Sequence, residues 1–331
     1  MPELSAILQA LVRHRGSPAV LATLVAVEGS SYRRPGARLL LLPDGTHLGS
    51  ISGGCLEDDV REHARRVLAS GQPETVAYDT TAENDLVWGV GLGCQGVVRI
   101  FLERLPSCPP PWVEPLLANL AARRDTVLIV DHGSAVPSGT QLAAGQPPEP
   151  GREGVFVETI SAPPALVVFG AGDDARPLVA MAKALGWHVT VADTRAAYAD
   201  RARFPDAEQF GVAPAAELAG RFAPDERGVA VIMTHRYNDD LVLLRTLLPR
   251  PLAYLGLLGP RKRTDRLLEQ LRADGFMPDA GKLARLHAPV GLDLGGRTPE
   301  TVALAIVAEI QARLAGRSAG FLRERVGPIH D

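Results

Sequence analysis

Apolar residues at Leu4, Ile7, Leu8 and Leu11 recur at i, i+3, i+4 and i+7, which predicts a short amphipathic helix near the start of the chain. Beyond it the pattern changes. Ala19 to Val27 is β-branched and apolar and reads as a buried strand. Ala37 to Leu42 and Thr46 to Ile51 are two further strands, joined by the turn Pro43-Asp44-Gly45. Leu56 to Leu68 carries charged and apolar residues at helical spacing, and Gly71 stands where a C-cap belongs. Thr75 to Tyr78, Val97 to Leu102 and Thr126 to Val130 return to strand. Antiparallel pairing of the first strands brings the polar turn at 28–36 and the glycine turn at 49–57 to one end of a sheet.

From His132 to Pro164 the chain is rich in Pro, Gly, Ser and Ala, with Pro147-Pro148-Glu149-Pro150-Gly151 at its centre, and reads as a domain junction. The second half has a different rhythm. Ala165 to Phe169 is a continuous apolar strand, followed at once by Gly170-Ala171-Gly172-Asp173-Asp174-Ala175. A helix follows through Leu185, and a second strand from His188 ends in Asp193. This is G-x-G-x-x-A with an acid 21 residues past Gly172, the arrangement that holds a pyrophosphate on a helix start and a ribose on the acid. Buried strands Val229 to Met233 and Leu252 to Leu258 end in polar loops at the edge where such sheets bind ligands. Pro260 is expected at a first helical position, and Thr298-Pro299 opens a final helix to Leu314. The expected class is therefore α/β. An N-terminal α+β domain with a mixed or antiparallel sheet (1–131) and a linker (132–164) precede a Rossmann-like, doubly wound parallel sheet (165–331).

A length of 331 residues suits two domains, and 46% hydrophobic with 22% charged residues is ordinary for a globular protein. The net charge of −3 gives no electrostatic reason to expect nucleic acid or an anionic membrane as partner. No apolar run reaches the roughly 18–20 residues of a membrane helix. Met1-Pro2-Glu3-Leu4 lacks a basic region followed by an apolar one, so no signal peptide is expected. Three cysteines, Cys55, Cys94 and Cys108, make no disulfide scaffold. A cytoplasmic protein with reduced thiols is the expectation.

Candidate chemistry concentrates in glycine loops. In Gly49-Ser50-Ile51-Ser52-Gly53-Gly54-Cys55-Leu56-Glu57, adjacent glycines let a ligand approach bare backbone. Cys55 and Glu57 are expected in the first helical turn, where unpaired N–H groups favour an anion or thiolate. The competing reading is a tight turn with a half-buried cysteine. Arg33 and Arg34 can fork onto oxyanions or stand as solvated charges. Trp88 to Gly96 supplies four glycines and Cys94 in a second such loop. Neither Cys55 nor Cys94 has a neighbouring ligand at zinc spacing. A Cys–His dyad needs His47 or His63, and a thiolate in a glycine cradle better suits a sulfur- or metal-containing cofactor. Asp173 and Asp174 oppose a pyrophosphate, an effect Arg176 and Arg195 can offset, and His235 is either an acid/base, a phosphate contact or a satisfied loop histidine.

With these residues in view, nearly the whole chain resembles the XdhC/CoxI family, accessory proteins of xanthine dehydrogenase and related molybdenum hydroxylases. The likeness rests on Gly29 to Ala37, Gly49 to Glu57, Gly91-Leu92-Gly93-Cys94-Gln95-Gly96, Gly256 to Arg261 and Pro289 to Gly295. Gln95 stands where the family motif usually has Gly. The resemblance implies a cytoplasmic, dimeric chaperone without an established turnover reaction. It implies that the protein binds molybdenum cofactor (molybdopterin), free or as its cytosine dinucleotide, and shields it while a cysteine desulfurase installs the sulfido ligand. Delivery to an apo molybdenum hydroxylase follows. The cofactor-binding residues so implied are Arg33, Arg34, Ser52, Gly53, Gly54, Cys55, Glu57, Gly93 and Cys94, with Cys55 or Cys94 near the molybdenum and Cys55 the leading contact. Gly170, Gly172 and Asp193 are the nucleotide-binding candidates. The alternative is an NAD(P)-dependent oxidoreductase with Asp193 on the ribose and His235 as acid/base. A third reading is a scaffold that docks desulfurase to hydroxylase without holding cofactor.

Overall fold

The computed structural model describes residues 2–79, 96–106, 109–149, 151–222 and 224–327. The chain divides into two compact units, Met1–Ala162 and Pro163–Asp331.

Unit 1 begins with α1 (Pro2–Arg13), β1 (Ala19–Gly29), β2 (Arg38–Leu41), β3 (His47–Gly49), α2 (Glu57–Ser70), β4 (Glu74–Asp79) and β5 (Gly96–Leu105). The strands form one antiparallel sheet in the order β3-β2-β1-β5-β4. Successive side chains of β1 point to opposite faces. Val20, Ala22 and Leu24 pack beneath Val60, Ala64 and Val67 of α2, while Leu21 meets Ile7, Leu8 and Leu11 of α1 on the other face. Each valine, leucine or isoleucine among them, buried outright, contributes about 1.5–3 kcal/mol. Gly71 ends α2 in the left-handed region, at φ 74°, as its position predicts.

The span expected as a linker contains two strands of unit 1. After α3 (Val113–Ala121) come β6 (Thr126–Asp131), β7 (Gly139–Leu142) and β8 (Val155–Ile160), a second antiparallel sheet in the order β7-β6-β8. The surrounding Pro, Gly and Ser residues mask the two later strands. Thr140 bonds through its N–H (3.0 Å) and hydroxyl to Glu103 of β5, a carboxyl that burial pushes up. Glu158 lies 2.6 Å from the buried Arg38 of β2. Both strands thus carry partners for charges on the first sheet.

Unit 2 comprises β9 (Ala165–Phe169), α4 (Ala175–Ala184), β10 (His188–Asp193), β11 (Gln209–Val212), α5 (Ala215–Arg221), β12 (Val229–Ile232), α6 (Tyr237–Leu247), β13 (Tyr254–Leu257), α7 (Arg261–Ala273), α8 (Ala280–Leu283), β14 (Leu286–His287) and α9 (Pro299–Leu314). All six strands are parallel in the order β11-β10-β9-β12-β13-β14, the doubly wound arrangement. β9 is buried at all five positions because helices cover both sheet faces. Leu166 and Val168 face Leu178 of α4 and Ile306 of α9, and Val167 and Phe169 face Leu244 of α6 and Leu267 of α7. The order reverses between β9 and β12, so the ligand crevice of such folds lies at their carboxyl ends. Thr298 caps α9 in a capping box with Thr301, whereas Pro260 is the N-cap of α7, one position earlier than expected.

Candidate functional site

The turn after β3 is set by a carboxylate. Gly49 leaves the strand at φ 89°, where an added Cβ would stand 2.2 Å from the Arg38 carbonyl oxygen, so no other residue fits. Eight residues on, the Glu57 side chain folds back from the start of α2. Its carboxylate accepts from the N–H groups of Ile51 (3.3 Å) and Ser52 (2.9 Å) and from the hydroxyls of Ser50 (2.9 Å) and Ser52. Burial pushes this carboxyl up, but the bonds from Ser52 and Ser50 outweigh it and hold the pKa at about 2. The Ser52 oxygen also accepts from the N–H groups of Gly54 (3.2 Å) and Leu56 (3.1 Å), which holds residues 52–56 as a loop of their own. As a result α2 starts at Glu57 with Leu56 as N-cap, and Cys55 precedes the helix instead of lying in its first turn. Cys55 is exposed.

Antiparallel pairing of β1, β2 and β3 brings the two predicted turns together. Arg33 Nη2 bonds the Ser50 carbonyl oxygen at 3.0 Å and pairs with Glu3. Beside this contact lies a groove of about 530 Å³ that includes Arg33, Ser52, Gly53, Gly54 and Glu57, all anticipated from sequence. It also includes Tyr32, Arg61 and His47. Tyr32 sits inside the arginine motif and Arg61 is one helical turn past Glu57, on the same side of α2, so their positions were readable even though their role was not. Cys55 and Arg34 are not among the lining residues. His63 is engaged with Glu74 (2.9 Å) and lies 3.5 Å from Asp59. Gly93 and Cys94 lie outside the described residues, as does Cys108. No cluster of three or more metal-ligating side chains is present among the described residues.

The nucleotide fingerprint of unit 2 has the expected backbone and its own partners. Gly170 has φ 118°, and an added Cβ would meet the Met233 carbonyl oxygen at 2.4 Å. Asp193 is buried at the end of β10. It accepts from the Ala171 N–H at 2.7 Å, the Arg195 N–H at 2.8 Å and the Arg195 guanidinium at 2.9 and 2.8 Å. Burial raises this carboxyl, and the Arg195 guanidinium and the two amides more than reverse it, leaving it below the usual range. Asp173 pairs with Arg203 at 2.9 Å and Asp174 with His235 at 2.6 Å, so neither relies on Arg176 or Arg195. His235 itself sits at φ 59°. Both candidate pyrophosphate-facing carboxylates thus have partners within the unit.

These features define a two-part class: an antiparallel α+β unit with a serine–glycine groove, followed in sequence by a Rossmann unit whose glycine-loop acids and Asp193 each have a partner within the unit. Residues 12–79 match the XdhC and CoxI family, and residues 166–310 match the XdhC Rossmann domain. The chain belongs to this family. It is 33% identical over 315 residues to a probable xanthine dehydrogenase subunit of Bacillus subtilis (strain 168), covering 88% of this chain and 92% of that one. It is 26% identical to the molybdenum cofactor insertion chaperone PaoD of Escherichia coli (strain K12), over 89% of this chain and 83% of PaoD. A crystal structure described as a xanthine dehydrogenase from Bacillus halodurans superposes with a TM-score of 0.81 at 30% identity, covering 96% of this chain and 97% of that one. No helix among the described residues is long and apolar enough to cross a membrane.

Proposed function

We propose that the protein carries molybdenum cofactor as cargo, shields it while a cysteine desulfurase supplies its sulfido ligand, and hands it to a xanthine dehydrogenase-type apo-hydroxylase. The observation that carries this reading is the groove beside Gly53 and Gly54, fixed from within by Glu57 and followed directly by the exposed Cys55. Bare backbone and arginines suit a pterin phosphate, and a thiol suits molybdenum. The names of the related proteins, one a cofactor insertion chaperone and one a component of xanthine dehydrogenase, support cargo and client alike. The desulfurase, a homodimeric state and a choice between free and cytosine dinucleotide cofactor rest on the family resemblance. An NAD(P) oxidoreductase draws little support from Asp193, whose two oxygens already receive Arg195 and the glycine loop.

The test is anaerobic purification from a molybdenum-replete host, then oxidation and fluorescence assay of released pterin. Near-stoichiometric pterin is expected. None, even after incubation with free cofactor, would overturn the carrier reading. Cys55→Ala is expected to fold normally and lose most bound molybdopterin; undiminished binding removes Cys55 from the site.

A further inference from the structure

We propose that Tyr32 is a stacking wall, and Arg61 an oxyanion contact, for a flat heterocycle bearing a phosphate in the unit 1 groove. This deepens the cargo reading above and rests on it. Tyr32 is 70% exposed, an unusual state for so large a ring on a turn that is otherwise tied down. The turn is held by its neighbour Arg33, through Glu3 and the Ser50 carbonyl. One part of the ring rests on Gly53, whose added Cβ would lie 3.6–3.8 Å from Cδ1, Cγ and Cε1. The phenol makes no hydrogen bond among the described residues. A ring supported on one side and open on the other can accept a second flat π-system by offset stacking.

The charge beside it is also available. Arg33 and Arg61 both line the groove, and each engages only Nη2; Nε of each is buried, which leaves Nη1 as the donor without a partner among the described residues. The two differ in what holds them. Arg33 is pinned by two partners, one of them backbone, and serves the fold. Arg61 faces only Asp58, whose side chain is 90% exposed, at 3.0 Å. A pair that open to solvent contributes little, so an oxyanion can replace Asp58 at small loss. Glu57, the one acid among the groove's lining residues, has its oxygens filled by the turn and does not oppose an anion with unsatisfied lone pairs. An aromatic wall and a replaceable guanidinium together select a planar ring joined to a phosphate, whether pterin or nucleotide.

The full chain would be titrated with 6-hydroxymethylpterin, with its phosphate ester, and with cytidine monophosphate as competitor, by pterin fluorescence and calorimetry. Tyr32→Ala is expected to weaken the tighter of the two phosphate esters by roughly tenfold or more, and Tyr32→Phe to retain it, since stacking needs the ring alone. Arg61→Gln is expected to weaken the phosphate ester while leaving unphosphorylated 6-hydroxymethylpterin unchanged, which a merely structural arginine would not do. Whichever ester binds identifies the end of the cargo that this groove takes. If the wild-type chain carries molybdopterin and Tyr32→Ala carries and binds as much, the stacking assignment is wrong and the carrier reading stands. If the wild-type chain takes up neither molybdopterin nor either ester, both fall.

Discussion

Glu57→Gln is the sharpest test of how the groove is built. The substitution keeps size and shape but removes the charge and replaces one accepting oxygen with an NH₂ group. That group would face hydroxyl and N–H donors of Ser50, Ile51 and Ser52, which already point at the carboxylate. A carboxyl held at about 2 against an ordinary 4.5, at 1.36 kcal/mol per pH unit, is worth about 3 kcal/mol at neutral pH. The sign follows from the depressed value. The contribution is complete above pH 4.5 and disappears as pH falls toward 2. At pH 3.5 about 2 kcal/mol remains by the same linkage. The assay is hydrogen exchange under increasing urea, comparing wild type and Glu57→Gln at pH 7 and pH 3.5. Peptides from α2 and β3 report on the clamp, and peptides from β9 in the other unit serve as the internal control. A deficit of about 3 kcal/mol at pH 7 that narrows in acid is expected. A loss below about 1 kcal/mol, or one independent of pH, would refute the clamp.

Gly49→Ala forces a Cβ to within 2.2 Å of the Arg38 carbonyl oxygen at a φ that L-residues avoid, and is expected to cost about 2–3 kcal/mol or prevent soluble folding, read by urea midpoint and yield. Arg195→Ala leaves the buried Asp193 with backbone donors alone. It should destabilise unit 2 by about 2 kcal/mol at neutral pH, discounted for the partial exposure of the arginine. Because the arginine helps hold this carboxyl below 3.8, the difference should shrink as pH falls through that range, measured by thermal unfolding at pH 7 and pH 3.5.

Much of this architecture can be read in the chain because its strands have strong local patterns. The apolar runs at 19–27 and 165–169 are strands, and G-x-G-x-x-A falls between β9 and α4. The pairing of the arginine turn with the serine–glycine turn also follows from strand order, and the Arg33–Ser50 bond is its result. What local pattern misses is partner choice at long range. Thr140 of β7 and Glu158 of β8 answer Glu103 and Arg38 on another sheet, and those pairings leave no local signal. Glu57 reads equally as a ligand contact or a structural anchor until the side chain is seen to fold back. Asp193 stands where a ribose-binding acid belongs, yet its partner is two residues away in sequence. Tyr32 lies in the arginine motif and Arg61 in α2 without any pattern that marks a ligand role, and only the shape of the groove singles them out.

The Glu57 clamp also bears on timing. Its donors and acceptor all come from residues 50–57, so the turn is shaped by its own segment without help from a guest. A molecule entering the groove meets a surface already in place and gives up mainly its own freedom of motion. Departure from this turn is then limited by breaking contacts, since residues 50–57 need no rearrangement of their own. If the groove's guest is a cargo to be handed on, as proposed above, a preset cradle makes letting go as quick as the contacts allow.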